Sequence, residues 1–196
     1  MAIRQPTAPP RKRAYPDSDD WSEFHGVAMP VEAFLALDDT EGTDLEYVDG
    51  VVIGKAVADR NHRNLVGRAD GFFFLFQRTN GGEYGPEGRV RLNNRRYRKP
   101  DTAFYREGTP KTDEVQPTLA IEVWSPGETM RSQREKCRMW REHGVPAVWL
   151  FDPRSRTAEV FDDEHDGTVF RAPAVLTTGH LPGFELPLAE LFLVLD

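Results

Sequence analysis

The sequence predicts an α/β fold organised as one domain over residues 23–196, preceded by a tail over residues 1–22. Two apolar runs with almost no charge, Thr118 to Trp124 and Ala147 to Phe151, have the character of central strands covered on both faces. The segment between them, about Glu128 to His143, reads as a helix that stops at Gly144, with Pro146 just beyond. A further helix is indicated between Arg60 and Arg78. There Leu65, Val66, Ala69, Phe72, Phe73 and Phe76 recur at i, i+3, i+4 intervals along one core-facing stripe. Strand, crossover helix and second buried strand make an α/β unit, for which a right-handed crossover is expected.

The remaining elements follow in chain order. Residues 1 to about 22 mix prolines, basic residues and the acidic run Asp17-Ser18-Asp19-Asp20, a composition that buries too little surface to order itself. Met29 to Leu35 reads as a short helix with proline at its first turn. Glu46 to Ile53 reads as a hairpin, since Asp49-Gly50 supplies positive φ at little steric cost. Between Gly85 and Tyr105 short alternating stretches around Val90, Leu92 and Thr102 to Tyr105 suggest strands. Thr157 to Phe161 and Thr168 to Arg171 are expected as edge strands, and Leu188 to Leu195 as an apolar strand or short helix.

Composition narrows the function. A chain of 196 residues with 39% apolar content can bury one sizeable core. The formal charge of -7 argues against a uniformly basic surface, so any nucleic-acid contact must rest on local patches. Cys137 is the only cysteine, which excludes an intrachain disulfide and a cysteine-rich zinc site and suits a core filler in a reducing compartment. No apolar stretch is long enough to span a bilayer, and the expectation is a cytoplasmic protein with no membrane partner.

Two carboxylates stand out. Asp101, in Lys99-Pro100-Asp101-Thr102, opens an apolar stretch, and Glu122 is the sole charge on an otherwise buried strand. Period two puts Leu119, Ile121 and Val123 on one face of that strand and Ala120, Glu122 and Trp124 on the other. An ionised group placed there is costly unless something compensates for the lost water, and a divalent metal ion shared by both acids is one compensation. An arginine or backbone amides would be another. Lys136 sits at the margin of the helix face that packs on the sheet, where its stem can cross apolar atoms and bring the ammonium toward the acids. The ordinary alternative is a solvated lysine paired with Glu128 or Glu135.

These pieces, in the order Glu46, His62, Pro100-Asp101, Ile121-Glu122-Val123-Trp124-Ser125-Pro126, Lys136, Gly144-Val145-Pro146 and Val148-Trp149-Leu150-Phe151-Asp152-Pro153, resemble the Uma-two family of putative restriction endonucleases. That family lies within the PD-(D/E)xK nuclease superfamily, and the resemblance covers roughly residues 28 to 195. It implies a restriction-endonuclease-like core, a mixed β-sheet flanked by helices, with Asp101 and Glu122 as metal ligands. The chain departs from the pattern at Trp124, where the superfamily has a lysine two residues after the second acid, so that Lys136 would substitute from the helix. Ser132 stands where the family often has an aspartate, and Trp140 and Val148 where it has tyrosines.

The activity so implied is metal-dependent hydrolysis of DNA. Asp101, Glu122 and a backbone carbonyl near Val123 would hold Mg²⁺, with Mn²⁺ as a substitute, and Lys136 would assist the attacking water. Glu46 has two readings: a site residue, as an additional ligand or orienting a metal-bound water, or a helix-terminal surface glutamate. His62 is a site neighbour or a hydrogen-bonded structural histidine. Arg89, Arg91, Arg95, Arg96, Arg98 and Lys99 crowd the approach to Asp101 without acidic neighbours in sequence, a candidate DNA-phosphate patch. Two other readings stay open: a catalytically silent nuclease-fold module that binds nucleic acid or protein, and a hydrolase for small phosphoesters. Oligomeric state is open too, with a twofold homodimer the arrangement by which nucleases often cut both strands.

Overall fold

The structure is a computed structural model that describes residues 24–41, 45–55, 58–86 and 88–195; the tail expected over residues 1–22 lies outside them. The chain begins with α1 (Val31–Glu41), preceded by Pro30 and one turn longer than the sequence suggests. The hairpin β1 (Leu45–Val48) and β2 (Val51–Gly54) follows, its turn carried by Asp49 at φ 51° and Gly50 at φ 96°. Helix α2 (Arg60–Asn80) starts on Asp59, whose side chain accepts the His62 amide.

Strands β3 (Glu83–Gly85), β4 (Val90–Asn93), β5 (Arg96–Arg98) and β6 (Thr102–Tyr105) lead into the α/β unit. That unit comprises β7 (Leu119–Val123), α3 (Met130–Glu142) and β8 (Val148–Asp152). After it come β9 (Thr157–Phe161), β10 (Asp166–Phe170), β11 (Val175–Leu176), β12 (Leu186–Pro187), the short helix α4 (Leu188–Leu191) and a 3₁₀ turn over Phe192–Leu195.

Two sheets position everything else. The larger is mixed, in the order β10-β9-β8-β7-β6-β3, with β7 and β8 parallel and the other neighbours antiparallel. The smaller runs β2-β1-β5-β4, and β11 pairs β12 separately. Every residue of β7 and of β8 is buried, as uncharged central strands require.

The alternation expected along β7 is present. Leu119, Ile121 and Val123 join the core beneath α2, while Ala120 joins Cys137, Trp140, Val148 and Leu150 beneath α3. Helices thus cover both faces of the large sheet. On the α2 side Phe73 and Phe76 pack against Phe104 and Phe184, with Trp149 stacked on Phe184 at 5.8 Å between ring centroids. The small sheet has its own core, in which Phe34 of α1 stacks on Tyr47 at 5.0 Å.

One expectation is corrected. Strand β9 is not an edge: it lies between β8 and β10 and is buried throughout. Its Thr157 and Glu159 suggest a half-solvated strand, but Glu159 takes a two-pronged contact from Arg134 of α3, both arms at 2.7 Å, which satisfies the acid under the helix. Ala158 and Val160 complete the opposite face within the α2-side core.

Phe73, fully buried at the centre of the aromatic group, tests this packing. Phe73→Ala is expected to cost about 3–5 kcal/mol. Urea unfolding checks it as a lower midpoint with unchanged slope.

Candidate functional site

The two sheets and both long helices meet around a cavity of about 590 Å³, and the acids singled out in the sequence line it. The register explains the meeting. Thr102 of β6 pairs with Ile121 of β7, so Asp101, one residue earlier, falls beside Glu122 at the open end of the ladder. Pro100 is buried and holds the approach. Asp101 is 5% exposed and its Oδ2 accepts the Val123 amide at 2.7 Å, which locks the carboxylate to the neighbouring strand.

Glu122 is 1% exposed and both of its oxygens are taken. Its Oε2 accepts from Lys136 Nζ at 2.9 Å and its Oε1 from the Trp140 indole N–H at 2.7 Å. Both donors come from one face of α3, four residues apart, so the helix delivers a cation and a neutral donor together. The ammonium reaches the acids as the sequence suggested, not Glu128 or Glu135. It is also 3.4 Å from Glu46 Oε1.

Glu46 is no surface residue. It is 2% exposed on β1, accepting Arg98 Nη1 at 2.6 Å and the Lys99 amide at 3.0 Å. His62, in the first turn of α2, has Nε2 3.5 Å from Asp101 Oδ2 and Nδ1 2.7 Å from Ser125 Oγ. Burial lowers its pKa, with Asp101 pulling the other way. A ring protonated on Nε2, the nitrogen facing the carboxylate, would accept from the serine hydroxyl at Nδ1. His62 thus contacts Ser125 and lines the cavity.

Sequence reasoning missed Lys55. It follows β2 and its ammonium is 3.0 Å from Asp101 Oδ1. A signal existed: the hairpin register pairs Glu46 with Ile53, and period two then puts Lys55 on that same face. Trp140 as donor to Glu122 was equally missed, its aromatic ring reading only as core.

The electrostatics follow from burial opposed by neighbours. Burial raises all three acids. At Asp101 the charges of Lys55, Lys136 and His62 and the Val123 amide outweigh it and hold the pKa down to about 2. At Glu46 Lys136, Arg98, Lys55 and the Lys99 amide do the same, again to about 2. At Glu122 burial wins, reinforced by the two neighbouring anions against the pull of Lys136, and the pKa rises to about 7. Lys136 is opposed by burial, but Glu122 and Glu46 raise it above its ordinary value, so it stays a cation.

The arginine patch is altered by the fold. Its acidic neighbours, absent in sequence, arrive in space: Arg89 meets Asp113 at 3.1 Å, Arg91 pairs with Glu114, and Arg96 meets Asp49 at 2.7 Å. Arg95, whose side chain is 71% exposed, has a looser contact with Asp49 at 3.7 Å. Arg96 and Arg98 line the cavity, whereas Arg91 lies outside its lining and is bound up with Glu114 and Asn94. The α3 arginines are likewise paired, Arg134 with Glu159, Arg138 with Asp166 and Arg141 with Asp163. Trp124 takes no part in the ion cluster: its indole donates to the Glu128 carbonyl, and the Arg154 guanidinium lies 3.5 Å from its ring centroid.

A buried cluster of two acids and a lysine thus lies at the strand ends of a helix-flanked mixed sheet. The chain belongs to the Uma2 family, described as "Putative restriction endonuclease", whose model matches residues 31–191. Its fold is similar to that of a "putative nuclease belonging to DUF820" from Anabaena variabilis ATCC 29413. The TM-score is 0.75 at 20% identity, over 86% of this chain and 99% of that one. No curated protein sequence matches. Among the described residues, no helix is long and apolar enough to cross a membrane.

The pKa pattern has a sign that can be checked. Glu122 is raised above its unfolded value near 4.3, so its share of stability is complete below about pH 4 and is lost as pH rises through about 7. Asp101 and Glu46 are depressed, so theirs is present above about pH 4 and lost as pH falls toward about 2. In chelator, Glu122→Gln is expected to flatten the decline of melting temperature between pH 5 and 8 while leaving the acid-side loss. Calorimetric melting across that range reads both limbs.

Proposed function

We propose that this chain is a metal-dependent endonuclease that hydrolyses DNA phosphodiester bonds, with Asp101 and Glu122 holding Mg²⁺ and Lys136 assisting the attacking water. The observation that carries the proposal is the convergence of both acids and the Lys136 ammonium in one cavity, from three elements that only the fold brings together.

The donor set suits a hard dication. Asp101 and Glu122 offer only oxygen, and the Val123 carbonyl follows Glu122 in the chain. Glu122, raised to about 7 by burial and by two adjacent anions, marks a place where another positive charge would relieve repulsion. Among the described residues no group of three or more His, Cys, Asp or Glu side chains is placed to hold a metal ion, so the protein would offer at most two carboxylates. The protein share would thus be a partial oxygen shell, as is usual for Mg²⁺, which keeps several waters and takes substrate phosphate oxygens. Mn²⁺ accepts the same ligands. Bound there, the ion supplies polarisation of the scissile phosphate and a more acidic water.

The chain's own groups do the rest. Lys136, held as a cation by two carboxylates, cannot act as a base; it donates, orienting the water or neutralising charge that develops on the phosphate. Trp140 fixes the rotamer of Glu122, and the Val123 amide with His62 fixes Asp101. Arg98 and the Lys99 amide hold Glu46 at the margin, where it anchors Lys136.

Phosphate contacts would fall to Arg96, which lines the cavity, to the exposed Arg95 next to it in the chain and to Lys99, while Arg98 is committed to Glu46 and Arg91 to Glu114. Such contacts bind the backbone without reading sequence. A second copy about a twofold axis would supply the cut on the other strand of a duplex.

The test is plasmid and single-stranded DNA incubated with Mg²⁺, Mn²⁺ or chelator. Wild type is expected to cut only with metal. Asp101→Ala and Glu122→Ala are each expected to lose more than the ~10²-fold that removal of an outer-shell partner costs, with folding checked by melting. Cleavage that survives either substitution would end the proposal.

A further inference from the structure

Each of the three buried acids has its own counter-cation: Glu46 has Arg98, Glu122 has Lys136 and Asp101 has Lys55. The three pairs differ in what a dication would do to them. Arg98 binds an acid at the margin, and Lys136 spans two acids, so it keeps one anchor when the other is engaged. Lys55 sits on Asp101, one of the two acids proposed to hold the metal.

The oxygens of Asp101 make the conflict specific. Oδ2 is committed to the Val123 amide at 2.7 Å, a contact that belongs to the junction of β6 and β7. Oδ1 is the oxygen Lys55 approaches, at 3.0 Å. A cation seeking the less committed oxygen of Asp101 must take the position next to which the Lys55 ammonium lies. Two positive charges that close repel strongly beside a carboxylate that is only 5% exposed. Lys55 can yield, since it follows the last residue of β2, lines the cavity, and carries its ammonium on a flexible four-carbon stem.

We propose that Lys55 is a built-in competitor for the metal position, which neutralises Asp101 in the metal-free protein and, when the dication binds, swings to a phosphate oxygen of the nucleic-acid substrate. This rests on the endonuclease reading and deepens it: the residue would couple loading of the site to substrate engagement. Competition for one oxygen is reciprocal, so whatever stabilises the Lys55–Asp101 pair weakens the metal by the same factor.

The sign of the effect separates this role from a structural one. A lysine that merely supports the site weakens metal binding when removed; a competitor strengthens it. Mn²⁺ titrated by calorimetry into wild type, Lys55→Met and Asp101→Ala gives the comparison, with melting temperatures measured alongside and Lys55→Gln substituted if the methionine variant unfolds. The expected result is Mn²⁺ affinity increased on the order of tenfold in Lys55→Met and abolished in Asp101→Ala. At saturating Mn²⁺ the KM for plasmid cleavage rises in Lys55→Met more than kcat falls. Equal or weaker Mn²⁺ binding by a folded Lys55 variant, with Asp101→Ala still losing it, overturns the competitor role and leaves the metal site standing. Failure of the wild type to bind Mn²⁺ overturns the metal site, and the competitor role with it.

Discussion

Charge neutralisation inside a closed seam is the constraint on which the arrangement depends. Glu46, Asp101 and Glu122 are each 5% exposed or less, and a carboxylate without water is tolerated only with a partner of opposite charge or strong donors. The partners arrive from separate elements: Lys55 and Arg98 from the small sheet, Lys136 and Trp140 from α3, the Val123 amide from β7. None of these contacts is local in sequence. The cluster therefore acts as a pin across the two sheets, because separating the small sheet from the large one would strand Asp101 without Lys55 and leave Lys136 with one acid.

Such a cluster is an odd choice for stability alone. Replacing a buried ion network with apolar residues of similar volume is often neutral or stabilising, whereas removing a single partner is costly. The interior under α2 follows the cheaper rule, with Phe73, Phe104, Trp149 and Phe184 packed against one another. The charges gather where a cavity opens, and their pKa values are driven apart, Asp101 and Glu46 down and Glu122 up. Adjacent acids in a cleft whose pKa values are driven apart form the pattern that marks a candidate functional site.

How much of this was legible in the sequence depended on the range of the interaction. The β7–α3–β8 unit could be read because uncharged runs, helix periodicity and Gly144 are local signals. The facing of Glu122 could be read because alternation is local too. The reach of Lys136 followed from its place on the helix. Arg98 as partner of Glu46 could not, since their residues are paired only through β1 lying against β5. The same limit misled the reading of the arginine stretch, whose neutralising acids Asp49, Asp113 and Glu114 come from the β1–β2 turn and from the segment before β7. Strand β9 looked like an edge because nothing local announces that Arg134 will meet Glu159 beneath α3.

The departure at Trp124 shows why a motif and a site are different things. By alternation Trp124 shares the face of Glu122, yet the strand ends at Val123. The chain then turns, so that the indole is drawn to the Glu128 carbonyl and covered by Arg154 instead of entering the cavity. A lysine at that position would have to compete with Lys136, which already holds Glu122 at 2.9 Å from the opposite wall. What the proposed phosphoryl chemistry asks for is an ammonium beside the carboxylate, a condition on space and not on spacing. A helix that packs face-on against the strand, anchored by Trp140 to the same acid, meets it, and the spacing along the strand is then free to change.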